Sequence, residues 1–229
     1  MSRAAEEAAG FVIVRHPRAR RTKLSFDPLT GRARLTLPPR AALDRALVWA
    51  RGQQAWIDRQ RERLPEARPF ADGVAIPVDG RALTITWRPD AARLPRAEGN
   101  MLLIGGPAEH VGRRVEAWLR RHALAVLIDD TAFYADRAGV TVAGVTVGDP
   151  RGRWGSCAAS GAIRYSWRLI LAPPEVRRAT VAHEVAHRLH MDHSPAFHAA
   201  VARVFGRAPD VERAWLREHG AALHWYGRG

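Results

Sequence analysis

The chain is 229 residues long, 47% hydrophobic and 26% charged, which allows a buried core and excludes a disordered or fibrous class. One cysteine, Cys157, excludes an internal disulfide framework and fits a reducing cytoplasm, and no apolar run is long enough for a membrane span. The net charge is +13 and Lys23 is the sole lysine, so arginine carries the excess. Such a surface can attract nucleic acid or phosphorylated ligands, but arginine-rich coding without a dedicated surface gives the same charge.

In chain order, residues 1–10 carry two glutamates and no hydrophobic segment, so they read as a flexible tail and not as a secretory signal. A β-rich region is expected over 11–105. Phe11 to Val14, Leu24 to Phe26 and Arg34 to Leu37 are short β-type runs, with Asp27-Pro28 and Gly31 supplying a turn. Pro38-Pro39 stops the third run. The positions Leu43, Leu47, Trp49, Ala50, Trp56 and Ile57 then favour one helix from Ala41 to about Leu64. Val74 to Val78 and Leu83 to Trp87 flank Asp79-Gly80, the chemistry of a two-residue hairpin turn. Arg88 to Asn100 reads as a loop, Met101 to Ile104 as a strand, and Gly105-Gly106-Pro107 as the linker to a second region, 106–229. No internal repeat is visible.

Beyond the linker, Val111, Val115, Trp118, Leu119, Leu124, Leu127 and Phe133 favour a long helix, or two closely joined, capped at Gly139. Val140 to Val147 alternates like a strand, with Gly144 a candidate bulge. Arg153 to Cys157 and Ala162 to Trp167 make two more strands. Pro173-Pro174-Glu175 then opens a helix, with proline in its first turn and an acid favourable to the dipole.

That helix carries His183-Glu184-Val185-Ala186-His187. Positions four apart share a helix face, so both imidazoles can point at one cation while Glu184 stays free to handle a proton of metal-bound water. Ser194-Pro195 starts a new helix, as N-cap and first helical residue, so the ligand helix is expected to end between about Leu189 and Asp192. His193 then lies on backbone able to fold back and is preferred as third ligand. Its rival His190 stands seven residues from His183, about 10.5 Å along a continuing helix. Helices are expected from Pro195 to Phe205 and from about Pro209 to Leu223.

Arg153-Trp154-Gly155-Ser156-Cys157, the run Trp167-Arg168-Leu169-Ile170-Leu171-Ala172-Pro173-Pro174 ending a strand, and the stretch from His183 to Phe197 follow one another in a specific order. In this the chain resembles the YgjP-like metallopeptidase domain family, relatives of the SprT-like zinc proteases. The resemblance implies a zinc-dependent hydrolase with His183, His187 and His193 as Zn2+ ligands and Glu184 as general acid/base. His198 stands where the family usually has a bulky residue, a departure at the lip of the pocket. The expected fold class is α+β: a β-rich N-terminal part with a helix, then a zincin-like part in which a small antiparallel sheet packs on the HExxH helix beside further helices. Metzincins are excluded, because Met191 is the last methionine and no Met-turn can follow the ligands.

A tetrahedral oxyanion needs a second electrophile, and Tyr165, Arg168 and His198 are the candidates for this substrate-binding role. Strand alternation puts Tyr165 on the face opposite Arg168, so these two do not serve together. Cys157 reads as a small buried residue in preference to a ligand or switch. Peptide or protein is the expected substrate. Hydrolysis of nucleotides or other phosphorylated small molecules is the first alternative, and a DNA-associated SprT-like protease or binding module is the second.

Overall fold

The computed structural model describes residues 6–8 and 10–228, and the chain divides into two compact units, Met1–Glu66 and Ala67–Gly229. In the first, the strands β1 (Glu6–Ala8), β2 (Phe11–Arg15), β3 (Lys23–Asp27) and β4 (Arg32–Leu37) form a sheet in the order β1-β2-β4-β3. Most of the tail expected over 1–10 lies outside the described residues, but Glu6–Ala8 pair antiparallel with β2. The alternation of β4 buries Ala33, Leu35 and Leu37, which join Phe11 and Ile13 in a small core. The single helix expected here is two, α1 (Leu43–Arg51) and α2 (Gln54–Glu62), broken at Gly52, the residue of weakest helix propensity in the run after proline. They add Ala46, Ala50 and Ile57 to that core.

The second unit opens with β5 (Ala75–Val78), β6 (Arg81–Trp87), β7 (Arg96–Glu98) and β8 (Met101–Ile104), in the order β5-β6-β8-β7. Asp79 and Gly80 have φ of 49° and 77°, the left-handed pair a two-residue hairpin needs. The strand β7 lies in the stretch expected as loop. This sheet repeats the topology of the first: outer pairs antiparallel, the central pair parallel, β2 with β4 and β6 with β8. The repeat is one of hydrogen-bond order, not of residue identity, which is why the sequence hides it. Gly105 and Gly106 lie inside this unit. A Cβ at Gly105 would collide with the backbone of Ala91, and the Trp87 indole donates to Gly106 O at 2.8 Å.

The helix α3 (Val111–Ala138) buries Val111, Val115, Leu119, Ala123, Leu127 and Thr131, a four-residue stripe, and ends on Gly139 at φ 67°. Next come β9 (Gly144–Gly148), β10 (Gly155–Cys157) and β11 (Ala162–Ser166), a sheet ordered β10-β11-β9. Its β10–β11 pairing is antiparallel and its β11–β9 pairing parallel. Gly144 begins β9 instead of bulging it. Trp167–Leu171, expected as the end of a strand, is a fully buried 3-10 helix capped by Ser166, whose hydroxyl accepts from Arg168 N. The remaining helices are α4 (Pro174–Ala186), α5 (Pro195–Phe205) and α6 (Asp210–Leu223). Buried Arg177 fixes α4 by donating to Asp130 at 2.7 Å and to Asp79 at 2.5 Å, tying it to α3 and to the β5–β6 turn. The α+β expectation is borne out. Among the described residues no helix is long and apolar enough to cross a membrane.

Candidate metal centre

On α4 the residues Val176, Ala179, Thr180, His183 and His187 recur at helical spacing, and all of them line one cavity of about 530 Å³. The helix ends at Ala186, earlier than expected, and His187 is its C-cap. Tight three-residue bonds follow, from Arg188 N to Val185 O and from Leu189 N to Ala186 O. That turn brings His190 O within 3.1 Å of His187 Nδ1. A carbonyl only accepts, so this bond requires the proton on Nδ1 and leaves the Nε2 lone pair for the cavity. The His190 ring is not part of the cluster, but its carbonyl orients a ring that is.

The chain then doubles back through Asp192, whose carboxylate accepts from Ser194 Oγ at 2.8 Å, and Ser194 caps α5 through Phe197 N. His193 thereby comes to 3.4 Å from His183, Nε2 to Nε2. One ring nitrogen from each of His183, His187 and His193 lies within 4.8 Å of the others, a group that could hold a metal ion. Phe197 packs beneath all three rings, with centroids at 4.9, 4.4 and 4.8 Å. Burial, and then the neighbouring imidazoles, lower the His183 pKa to about 4, so the ring is a neutral donor at pH 7. Burial also lowers His187, against a partial opposing effect of its bond to His190 O.

Glu184 is 5% exposed. Burial pushes its carboxyl up to about 7, and Arg153 acts the other way. The carboxyl sits against Gly155 on β10, so closely that any Cβ there would overlap it. Gly155 is a position beside the candidate site that strand patterning did not reveal. Its signal was a glycine interrupting a short strand, which marks a close approach by something else.

The three substrate-binding candidates lie elsewhere. Tyr165 is fully buried, its hydroxyl 3.1 Å from Thr131 Oγ1, and burial drives its pKa far above the ordinary phenol value. Arg168 donates to both Asp149 oxygens, at 2.7 and 3.0 Å, and to the carbonyls of Leu223 and Tyr226. It closes the C-terminal segment down on the core. His198 is exposed, its ring 6.4 Å from that of His193, and none of the three lines the cavity. Cys157 does line it, half-buried, with its thiol pKa raised by burial.

Three convergent imidazoles beside a buried carboxyl define a candidate metal site on an α+β frame. The model of the YgjP-like, metallopeptidase domain family matches residues 20–219, and the chain belongs to that family. No curated protein matches the chain. The crystal structure of the metallopeptidase zymogen of Pyrococcus abyssi abylysin is similar over 40% of this chain and 93% of that one, at 20% identity and a TM-score of 0.36.

Proposed function

We propose that this metallopeptidase-family chain is a zinc-dependent peptidase, in which His183, His187 and His193 hold Zn2+ and Glu184 is the general acid/base. The observation that supports it most is the approach of three imidazole nitrogens within 4.8 Å of one another. Nitrogens at that spacing can share one cation, and imidazole suits the N-donor preference of zinc. When bound, the metal supplies a Lewis acid that acidifies a coordinated water and polarises a carbonyl.

Glu184 takes the proton of the attacking water and returns it to the leaving amine. A carboxyl with a pKa near 7 is matched to both transfers at neutral pH. Gly155 leaves room for that carboxyl. The strand β10 lies at the margin of its sheet and contributes Gly155, Ser156 and Cys157 to the cavity wall. Trp154 O accepts from Ser166 N and Ala158 N donates to Ala162 O, so the alternate residues Gly155 and Cys157 turn their main-chain groups to the free side. An extended peptide adds there as a further strand, its carbonyls presented to the histidines.

The test is digestion of unfolded casein by the zinc-loaded protein, with Glu184→Gln as control. Cleavage that falls by a factor of about 10³ or more in the variant, at unchanged zinc content, supports the reading. Equal and negligible cleavage by both forms refutes it.

A further inference from the structure

The cavity extends well past the histidines. Val176 stands seven residues before His183 on the same face of α4, about 10.5 Å along the axis, which is deep enough for a whole side chain. That end is walled by Trp154, Val176, Ala179, Pro209 and Leu216. Thr180 also faces it, but its hydroxyl is spent on Val176 O at 3.1 Å. Of the charged groups that line the cavity, Glu212 accepts from Arg207, Arg213 donates to Asp210 at 2.5 Å, and Arg153 acts electrostatically on Glu184. Trp154 is held in place by His224, at 5.4 Å between centroids, and by Gly220, where a Cβ would come within 2.9 Å of the indole.

We infer that this end of the cavity is a specificity pocket that takes a large apolar side chain, such as Phe, Leu or Met, from a residue flanking the scissile bond. The inference rests on the peptidase reading for the word scissile, but the pocket itself does not. A polar or charged side chain entering between the apolar walls of Trp154, Val176, Ala179, Pro209 and Leu216 would leave water for a largely apolar surface, a desolvation loss that an apolar side chain avoids. A glycine or alanine would leave the far end empty and gain little. Ala179, one turn before His183 on the lining face of α4, is the smallest side chain of this wall, so enlarging it narrows the pocket. Discrimination by apolar fit alone is about 10- to 200-fold for each group added or lost, which sets the expected size of the preference.

Two measurements test it. Digestion of a mixed-sequence peptide library by the zinc-loaded enzyme, with cut sites read by mass spectrometry, should enrich large apolar residues at one position beside the cut by about tenfold or more over Gly, Ala and Ser. Ala179→Phe should still cleave, with the preference moved to small residues. Separately, N-acetyl-phenylalaninamide should shift the NMR signals of Ala179 and Leu216 in the metal-free protein, N-acetyl-glycinamide should not, and the shifts should vanish in Ala179→Phe. Cleavage without apolar enrichment, enrichment of charged residues, or a preference untouched by Ala179→Phe would overturn the pocket assignment. Binding of the phenylalanine probe by a protein that cuts no peptide would instead keep the pocket and sink the peptidase reading.

Discussion

The two four-stranded sheets have one topology and different neighbours. The sheet β1–β4 buries Phe11, Ile13, Ala33, Leu35 and Leu37 against α1 and α2, and that core ends within the first unit. The sheet β5–β8 buries Ile76, Val78, Leu83, Ile85, Leu102 and Ile104 in a much larger core, which also takes Leu119 and Leu127 of α3 and Val181, Ala182 and Val185 of α4. Strand order therefore does not distinguish the two sheets. What matters is whether the buried face continues into the helix that carries the histidines. Arg177 adds a polar link of the same sense, since its partners Asp79 and Asp130 belong to the hairpin of the second sheet and to α3.

The largest expected effect is a pair of matched cavity substitutions. Leu35→Ala and Ile85→Ala each remove a fully buried side chain from a central strand of its sheet. Each should cost about 2–5 kcal/mol of local stability. Hydrogen exchange read separately over 10–66 and 67–228 should show the loss in the first segment for Leu35→Ala and in the second for Ile85→Ala. Zinc affinity should fall only for Ile85→Ala. A zinc affinity lowered equally by both would mean that the two cores are energetically one, and the contrast between the sheets would fail.

A substitution that touches neither sheet sharpens the point. Gly155→Ala puts a Cβ where the Glu184 carboxyl lies, while the histidines keep their places on α4 and before α5. Displacing a catalytic group by about 1 Å costs about 10²-fold in kcat. The expected outcome is that loss with zinc content and thermal midpoint near the wild type. Full activity in Gly155→Ala would show that the carboxyl has room to spare and that the glycine serves only the strand.

Much of this was legible from residue order. Ser194-Pro195 and Gly206 frame α5, whose range Pro195–Phe205 is the expected one, because caps and proline act locally. The same local chemistry placed the turn at Asp79-Gly80 and the end of α3 at Gly139. Helix spacing alone put His183 and His187 side by side, and the structure brings His193 to them. What escaped depends on tertiary partners. Glu6–Ala8 and Arg96–Glu98 are strands because β2 and β8 offer them an edge, not because their residues favour extension. Trp167–Leu171 is apolar enough for a strand, yet burial on every side suits a tight helix as well. Alternation sorted Tyr165 from Arg168 but gave no sign that Arg168 lies beyond the strand in a 3-10 helix, or that both side chains are buried. Gly155 and Glu184 are neighbours only in space.

Acid separates the two units by a smaller margin. The histidines whose pKa burial lowers, His122, His183, His187 and His224, all belong to the second unit. For His224 burial comes first, then Arg168, with Asp149 opposing, and the pKa falls to about 4 from the ordinary 6.5. Between those values the unfolded chain binds a proton that the folded chain refuses, so stability rises with pH across the window and is lost as pH falls from 6.5 toward 4. For one histidine the loss is at most about 3.5 kcal/mol, from roughly 1.4 kcal/mol per pH unit. His224→Gln removes this titration and keeps a polar ring-sized group beside Trp154. In metal-free protein, denaturant unfolding at pH 7 and pH 4.5 should show a smaller acid loss in His224→Gln than in wild type, with hydrogen exchange placing the difference in residues 67–228. An acid loss identical in both proteins would mean that His224 takes up its proton without disturbing Arg168 and Asp149, and the acid sensitivity of the second unit would then rest on its other buried histidines.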